Sequence, residues 1–390
     1  MSEKVYGKPL VYLDNAATSL RPQSVIDKWT EMSVKYNSNL HRAVHYTAAK
    51  ATGEYEDARK QLATFIGAKP SQIVFTSGTT ASLNLLAFSF GEYCVGEGDE
   101  IIIAESEHHS DIVPWQMLCQ RKKSVIKVLP VDDSGRLDYQ LLEELISPRT
   151  KLVCVAHVSN VLGLVNPIRE IADICHSRNC LLLVDGAQGI VHERVDVRQL
   201  DCDFYAFSGH KMYAAPGTGV LYGKLDILNQ LPPFMGGGEM IESVSFKNTV
   251  YAGVPQRFEA GTQNISGVPT LKPAIEMSGI CEEIDQNELL SYMLESLEGN
   301  GRIRLYGIPN DKFKKIPLFS FSVDGVHHED LALILDKMGI AVRSGQMCAE
   351  PLMDRMGVTG MLRASFAPYN TVEEAQYFMK CLDKAINMLV

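Results

Sequence analysis

Three polar groups in this sequence stand where short apolar runs end. Asp185 closes Leu181-Leu182-Leu183-Val184 and opens Asp185-Gly186-Ala187-Gln188. Lys211 closes Ser208-Gly209-His210-Lys211, 211 − 185 = 26 residues later, about one strand–helix–strand step. Ser77-Gly78-Thr79-Thr80 joins the apolar run Ile73 to Thr76 to a helical stretch. A carboxylate at the end of a buried strand is costly unless a cation stands beside it. A partly desolvated lysine is an activated amine. A glycine followed by two hydroxyls at a helix start leaves N–H groups free for an anion. Singly, each signal is weak: such an Asp is commonly a turn residue, such a Lys is commonly solvated, and Gly-Thr-Thr begins many helices. Their order on successive strand ends is far more specific.

Together they meet the needs of pyridoxal phosphate: a lysine for the Schiff base, a carboxylate for the pyridinium nitrogen and a cradle for the phosphate. Other signatures fail. Gly217-Thr218-Gly219 leads on to Gly223, not to a glycine three residues after the second, so the dinucleotide fingerprint is absent. Gly223-Lys224 is followed by Leu225, and Thr218 stands where a P-loop needs its first glycine. His108-His109 and His327-His328 are adjacent pairs whose side chains diverge, and no metal-ligand spacing is present.

The chemistry needs elements to position it, and the composition allows them. The 390 residues are 46% hydrophobic and 22% charged, which suits a folded chain of two domains. Lys+Arg 37 against Asp+Glu 47 gives 37 − 47 = −10, without a basic run, so nucleic-acid binding is not expected. Apolar runs are strand-sized and Met1-Ser2-Glu3-Lys4 has no apolar core of a secretory signal, so neither a membrane span nor export is expected. Nine scattered cysteines without a Cys-x-x-Cys pair point to a reducing compartment, the cytoplasm.

From residue 70 the sequence alternates β-branched runs with helix-length amphipathic stretches. Strands are expected at Ile73 to Thr76, Ile101 to Ala104, Val125 to Leu129, Leu152 to Ala156, Leu181 to Val184, Phe204 to Phe207 and Gly219 to Tyr222. Helices are expected at Ser82 to Tyr93, Ile112 to Arg121, Tyr139 to Ile146 and Ile168 to Ser177. The pattern predicts an α/β fold with a mostly parallel seven-stranded sheet between helices, its ligands at the carboxyl ends of the strands. Beyond residue 260 the rhythm changes to a smaller α+β unit: helices at Pro269 to Asn287, Leu289 to Glu298, Asp330 to Met338 and Val372 to Leu389, and strands at Leu318 to Val323, Ile340 to Arg343 and Leu362 to Phe366. The expected division is a large cofactor-binding domain over 15–262 and a small domain formed by 1–14 and 263–390.

Of the cysteines, Cys119, Cys154, Cys175, Cys180, Cys202 and Cys381 lie inside apolar elements and are expected to be buried. Cys348 lies instead in a Gly-containing loop, five residues after Arg343 and fifteen before Arg363. A thiol beside guanidinium groups ionises readily and is a good nucleophile.

Tyr12-Leu13-Asp14-Asn15-Ala16-Ala17, His41-Arg42-Ala43-Val44-His45, Thr76 to Thr80, Glu107-His108-His109, His157-Val158-Ser159-Asn160, Val184 to Gln188, Ser208 to Lys211, Arg257 to Thr262, Arg343 to Cys348 and Arg363-Ala364-Ser365 occur in one order along nearly the whole chain. In them the chain resembles the class V branch of fold-type I pyridoxal-phosphate enzymes, most closely the group II, SufS-type cysteine desulfurases. The resemblance implies that Lys211 is the Schiff-base lysine and moves the substrate α-proton, that Asp185 pairs with the pyridine nitrogen, and that Gln188 donates to the ring hydroxyl oxygen. It further implies that His108 stacks on the ring, that Thr79, Thr80, Ser208 and His210 cradle the phosphate, and that Thr262 reaches the phosphate of the other subunit of a homodimer. Asn160 and Arg363 are implied to hold the substrate carboxylate, with Arg343 and His41 on the same pocket wall.

Cys348 stands at the family's persulfide position. The implied reaction takes L-cysteine to L-alanine, leaves sulfur on Cys348, and passes it to an acceptor protein, mainly for iron–sulfur cluster assembly. Selenocysteine lyase shares the scaffold, and a class V aminotransferase is a further alternative that has no use for Cys348. Gln346-Met347 departs from the His-His or Gln-His common in relatives, and the stretch from Pro269 to Leu305 is slightly short. Glu329 stands where relatives with a zinc-dependent, SufU-like acceptor tend to carry His, which favours a SufE-like acceptor.

Overall fold

The computed structural model describes residues 4–390. Its central sheet is built from β1 (Ile73–Thr76), β2 (Glu100–Ala104), β3 (Val125–Leu129), β4 (Thr150–Ala156), β5 (Leu181–Asp185), β6 (Phe204–Ser208) and β7 (Gly219–Gly223), the seven expected runs. Their order across the sheet is β1-β7-β6-β5-β4-β2-β3. β6, β5, β4, β2 and β3 are mutually parallel, whereas β7 runs antiparallel to both β1 and β6. The connection 209–218, which carries Lys211, is shorter than the dozen or more residues a parallel crossover takes, so the chain turns straight back.

Helices of ten residues or more cover the sheet: α1 (Gln23–Lys35), α2 (Tyr46–Phe65), α3 (Thr79–Cys94), α4 (Val113–Lys122) and α5 (Ile168–Ser177). Alternate side chains of β2 feed opposite faces. Ile101 and Ile103 pack with Leu83, Leu86 and Phe90 of α3 and Trp115 and Leu118 of α4. Ile102 and Ala104 share a core with Tyr55 and Leu62 of α2 and Ile168 and Ile171 of α5. Both faces are therefore dry, which is why the strands read as continuous apolar runs. The expected helix over Tyr139 to Ile146 is instead a 3₁₀ turn, Tyr139–Leu141, followed by one α-turn, Leu142–Leu145.

The remainder holds α6 (Leu271–Glu282), α7 (Asn287–Glu298), α8 (His328–Lys337) and α9 (Val372–Leu389). An antiparallel sheet runs in the order β8 (Ile303–Tyr306), β9 (Leu318–Val323), β11 (Met361–Ser365), β10 (Arg343–Gly345). The expected strand from Ile340 to Arg343 is split: Ile340–Ala341 pairs in parallel with Val11–Tyr12, and Arg343 begins β10. α6 crosses the expected division of the chain at residue 262. Its Leu271, Ala274 and Cys281, with Val268 before it, are buried in a core shared by residues of both expected units, among them Leu62 of α2 and Met347 and Leu352 beyond β10.

One buried ion pair ties the strap after residue 255 to the sheet. Arg59 of α2 and Glu259 are each 2% exposed at the side chain and meet through paired bonds of 2.7 and 2.8 Å. Glu259 Oε1 also accepts from the Phe75 N–H of β1, and Arg59 Nη1 donates to the Ile73 carbonyl. Removing Glu259 leaves the buried Arg59 charge to Glu56 alone, which lies 2.9 Å from its Nε, so the cost is at the lower end of about 3–5 kcal/mol, the range for breaking a buried pair. Glu259→Gln is therefore expected to lower the unfolding temperature sharply, and Arg59→Met together with Glu259→Gln to recover part of the loss. An unchanged unfolding temperature in Glu259→Gln would contradict this.

Candidate active site

The carboxyl ends of β1, β4, β5 and β6 open into a cavity of about 300 Å³ that the loop between β10 and β11 closes from the small-domain side. Lys211, Asp185, Gln188, His108, Thr79, Thr80, Ser208, His210, Asn160, Arg343, Arg363 and Cys348 all line it. These residues come from segments up to 284 positions apart (Thr79 to Arg363, 363 − 79 = 284).

Asp185 and Lys211 form its floor. Asp185 Oδ1 accepts from the Ala187 N–H at 2.8 Å. Burial pushes the Asp185 carboxyl up, opposed by Lys211, and pushes the Lys211 amine down, opposed by Asp185. Each group thus resists charge alone and is charged only with the other's help. Behind Asp185 lie two fully buried acids. Glu107 Oε1 accepts from the Ala156 N–H at 2.7 Å and Asp111 Oδ1 from Trp115 Nε1 at 2.8 Å, while Glu107 Oε2 and Asp111 Oδ2 have no partner. Burial, with repulsion from the neighbouring acids, pushes both carboxyls well above the usual range. Burial and the neighbouring acids thus favour their neutral forms, and Asp185 is the carboxyl of the floor whose charge Lys211 supports.

The cradle sits where α3 begins. The Thr79 N–H donates to Ser208 Oγ at 2.8 Å, and the Thr79 and Ser208 hydroxyls are 2.7 Å apart. Thr80 Oγ1 lies 2.8 Å from Ser110 Oγ. At Gly219 of β7 a Cβ would stand 2.2 Å from the Gly78 nitrogen, so only glycine lets β7 approach the turn this closely. His210 Nδ1 lies 3.2 Å from Thr18 Oγ1. Hydroxyls, free N–H groups of a helix N-terminus and no carboxylate make a site for an oxyanion.

At the other end stand Arg343 and Arg363, directly opposite each other on β10 and β11. Arg363 is 3% exposed at the side chain; its Nη1 donates to the Asn160 carbonyl at 2.8 Å and its Nε is buried without a partner. Burial, with Arg343 adding to it, pulls the Arg363 guanidinium down to about 10. Between them and Lys211 comes Cys348, exposed, whereas Cys119, Cys154, Cys175, Cys180, Cys202 and Cys381 are buried as expected. Met347 and Cys348 both adopt left-handed backbone, φ 54° and 56°, which costs a residue with a side chain roughly 1–3 kcal/mol. Bonds across the cavity hold the loop there: Asn160 Nδ2 donates to the Met347 carbonyl at 2.9 Å, the His109 N–H to the Cys348 carbonyl at 2.8 Å, and the Glu350 N–H to His109 Nε2 at 3.1 Å.

Two implied site residues lie elsewhere. His41 does not line this cavity; it turns through φ 63° and pairs with Glu56 at 3.1 Å, edge-on to Tyr55. Thr262 lines a separate cavity of about 480 Å³ with Tyr55, Phe75, Met235 and Asn264. Gln188 lines the site, but its Nε2 donates to the Ala16 carbonyl at 2.7 Å. Sequence reasoning missed Ser110, His109 as a latch on the Cys348 loop, and Asp14, which bonds both arginines. The Glu107-His108-His109 and Asp14-containing landmarks held the signal for two of them.

The donor set fits pyridoxal phosphate: an oxyanion cradle, an acid and an amine that support each other's charge, and an imidazole line one cavity. Burial and the charges of Lys211, His109 and Arg363 pull His108 down to about 4, and its Nδ1 accepts from the Ser110 N–H, so the neutral ring carries its proton on Nε2. Burial likewise pulls His210 to about 4. Both favour the neutral form relative to an ordinary value of 6.5, so they cost the fold nothing above pH 6.5 and destabilise it as pH falls towards 4. His108→Gln is expected to remove about one proton from the uptake on unfolding at pH 5, read from the pH slope of stability. An unchanged slope would refute a neutral His108.

The comparisons agree with this geometry. Residues 11–378 match the aminotransferase class-V family model. The chain is 44% identical to a probable cysteine desulfurase of Vibrio cholerae, over 100% of this chain and 96% of that protein. It is 42% identical to a cysteine desulfurase of Haloferax volcanii, over 97% and 89%. Its fold superposes on the cysteine desulfurase CsdA of Escherichia coli, solved in an S-sulfonic acid form, with a TM-score of 0.90 at 38% identity, covering 98% and 96%. On the apo cysteine desulfurase of Thermococcus onnurineus the TM-score is 0.93 at 39% identity, covering 97% and 95%. The chain belongs to the class-V aminotransferase family, a family of pyridoxal-phosphate enzymes, on its cysteine desulfurase branch.

Proposed function

We propose that this protein converts L-cysteine to L-alanine and keeps the sulfur as a persulfide on Cys348. One observation carries the reading. Of the nine cysteines only Cys348 is exposed, and it lines the cavity together with Lys211, Arg343 and Arg363.

In the cavity Thr79, Thr80, Ser208 and His210 would hold the phosphate of pyridoxal phosphate, and Asp185 and His108 would serve its ring. When bound, that group supplies an aldehyde for Lys211 and an electron-withdrawing ring that acidifies the Cα–H of an amino acid. The remaining work belongs to the chain. Arg363, which lines the cavity beside Asn160, is the cation for the substrate carboxylate. Gln188, whose Nε2 donates to the Ala16 carbonyl, would be the donor for the ring hydroxyl oxygen. Lys211, freed as an amine in its desolvated setting, takes the Cα proton and returns it for release of alanine. The Cys348 thiolate attacks the substrate sulfur, forming an S–S bond as the C–S bond breaks and leaving that bond's electron pair to the substrate Cβ, which takes up a proton to become the methyl of alanine. An acceptor thiol then removes the outer sulfur and regenerates Cys348.

Thr262 lies outside its own chain's cavity; the family resemblance, by which it serves the phosphate of a second copy, supports a homodimer. Glu329 ahead of Asp330 favours a SufE-like acceptor, and iron–sulfur cluster assembly is the sulfur's main use in this family. Among the described residues no helix is long and apolar enough to cross a membrane, and all nine cysteines are unpaired, which suits the reducing cytoplasm.

Cys348→Ser is expected to cut alanine formation from L-cysteine by about two orders of magnitude or more while the cofactor absorbance stays intact. Unchanged alanine output would refute the role of Cys348. Loss confined to L-cysteine, with L-selenocysteine turnover retained at a higher rate than wild-type L-cysteine turnover, would move the reading to a selenocysteine lyase.

A further inference from the structure

Arg343 and Arg363 are direct cross-strand partners, an arrangement in which like charges repel. Asp14 bridges them from the N-terminal segment. Its Oδ2 accepts from Arg343 Nη2 at 3.0 Å and Nε at 3.3 Å, and its Oδ1 from Arg343 Nε and from Arg363 Nη2, both at 3.1 Å. The two arginines line the cavity and Asp14 does not. Asp14 is 18% exposed at the side chain, Arg363 3% and Arg343 45%, so the Asp14–Arg363 half of the bridge is poorly screened.

The charge at this end of the cavity can be counted. Two guanidinium groups and one carboxylate leave +1. Lys211 and Asp185 offset each other on the floor, and His108 and His210 are neutral at neutral pH. With Cys348 counted as the neutral thiol, one positive charge matches one carboxylate.

We propose that Asp14 is a specificity-determining positioning residue: by neutralising one of the two facing guanidinium groups it tunes the pocket to amino acids with one carboxylate and disfavours those with two. This rests on the desulfurase reading only in assuming that the pocket takes amino acids.

The test uses the pyridoxal-phosphate-loaded protein at low ionic strength. Binding of L-alanine and of L-aspartate is measured by thermal shift and by perturbation of the visible absorbance, for wild type, Asp14→Asn, Asp14→Glu and Arg343→Gln. Asp14→Asn is expected to raise the affinity for L-aspartate relative to L-alanine about tenfold, one unit of charge being exposed a few ångströms from the ligand. Asp14→Glu keeps the wild-type ratio. Combining Asp14→Asn with Arg343→Gln restores one net charge and returns the ratio to the wild-type value.

A merely structural Asp14 would weaken both ligands together, and an unchanged ratio in Asp14→Asn would overturn the proposal. Should Asp14→Asn fail to fold, Arg343→Gln alone decides. Leaving Asp14 to neutralise Arg363, it is expected to weaken L-alanine about tenfold, and unchanged L-alanine binding would overturn the proposal. A wild type that binds these ligands but makes no alanine from L-cysteine would end the desulfurase reading and leave this one standing.

Discussion

Everything in this fold answers to one electrostatic problem: an acid and an amine held in a place where neither can be charged alone. Asp185 is 6% exposed and Lys211 sits on the same floor, each shifted toward its neutral form by burial and back by the other. Side chains on surface loops cannot be held in that state. It takes strands buried on both faces, ending together, and the parallel run β6-β5-β4-β2-β3 provides them. Glu107 and Asp111, pushed toward their neutral forms, extend the same logic one layer deeper, by leaving Asp185 as the carboxyl whose charge Lys211 supports. The cradle at Thr79 lies across β7, whose reversal after the Lys211 connection brings Gly219 against Gly78.

The opposite wall is supplied from far along the chain, and its charges are held by different means. Arg343 and Arg363 would repel each other without Asp14, and Arg363 would be stranded without the Asn160 carbonyl. Asn160 serves both sides, because its side-chain amide also grips the Met347 carbonyl and so helps hold Cys348 in left-handed backbone. A loop held by three hydrogen bonds against local strain is stable in place and has little to lose on release. A nucleophile that must first meet a buried substrate and then a protein acceptor needs both properties.

The floor was legible in the sequence and the wall was only half so. Apolar runs broken by a single Asp or Lys reveal strand ends, because burial on both faces leaves no polar alternation to blur them. The direction of β7 was hidden, since apolar composition does not encode strand polarity. α2 carried little periodic signal: it packs through Ala48, Ala51 and Ala58, whose small side chains give weak contrast with their neighbours. α6 reads as the start of a second unit because its position follows the change in rhythm, yet its apolar face joins a core that both expected units share. Asp14 stands 343 − 14 = 329 residues from Arg343, so no spacing rule links them. His41 was carried over by resemblance to a pocket wall, but a left-handed turn and Glu56 hold it apart from its own chain's cavity.

The account stands or falls on which amine reacts. The protein loaded with pyridoxal phosphate should be reduced with borohydride, digested and mapped by mass spectrometry. The buried pairing of Lys211 with Asp185 predicts a phosphopyridoxyl group fixed on Lys211 at close to one per chain. A label spread over surface lysines, or none on the Lys211 peptide, would contradict it.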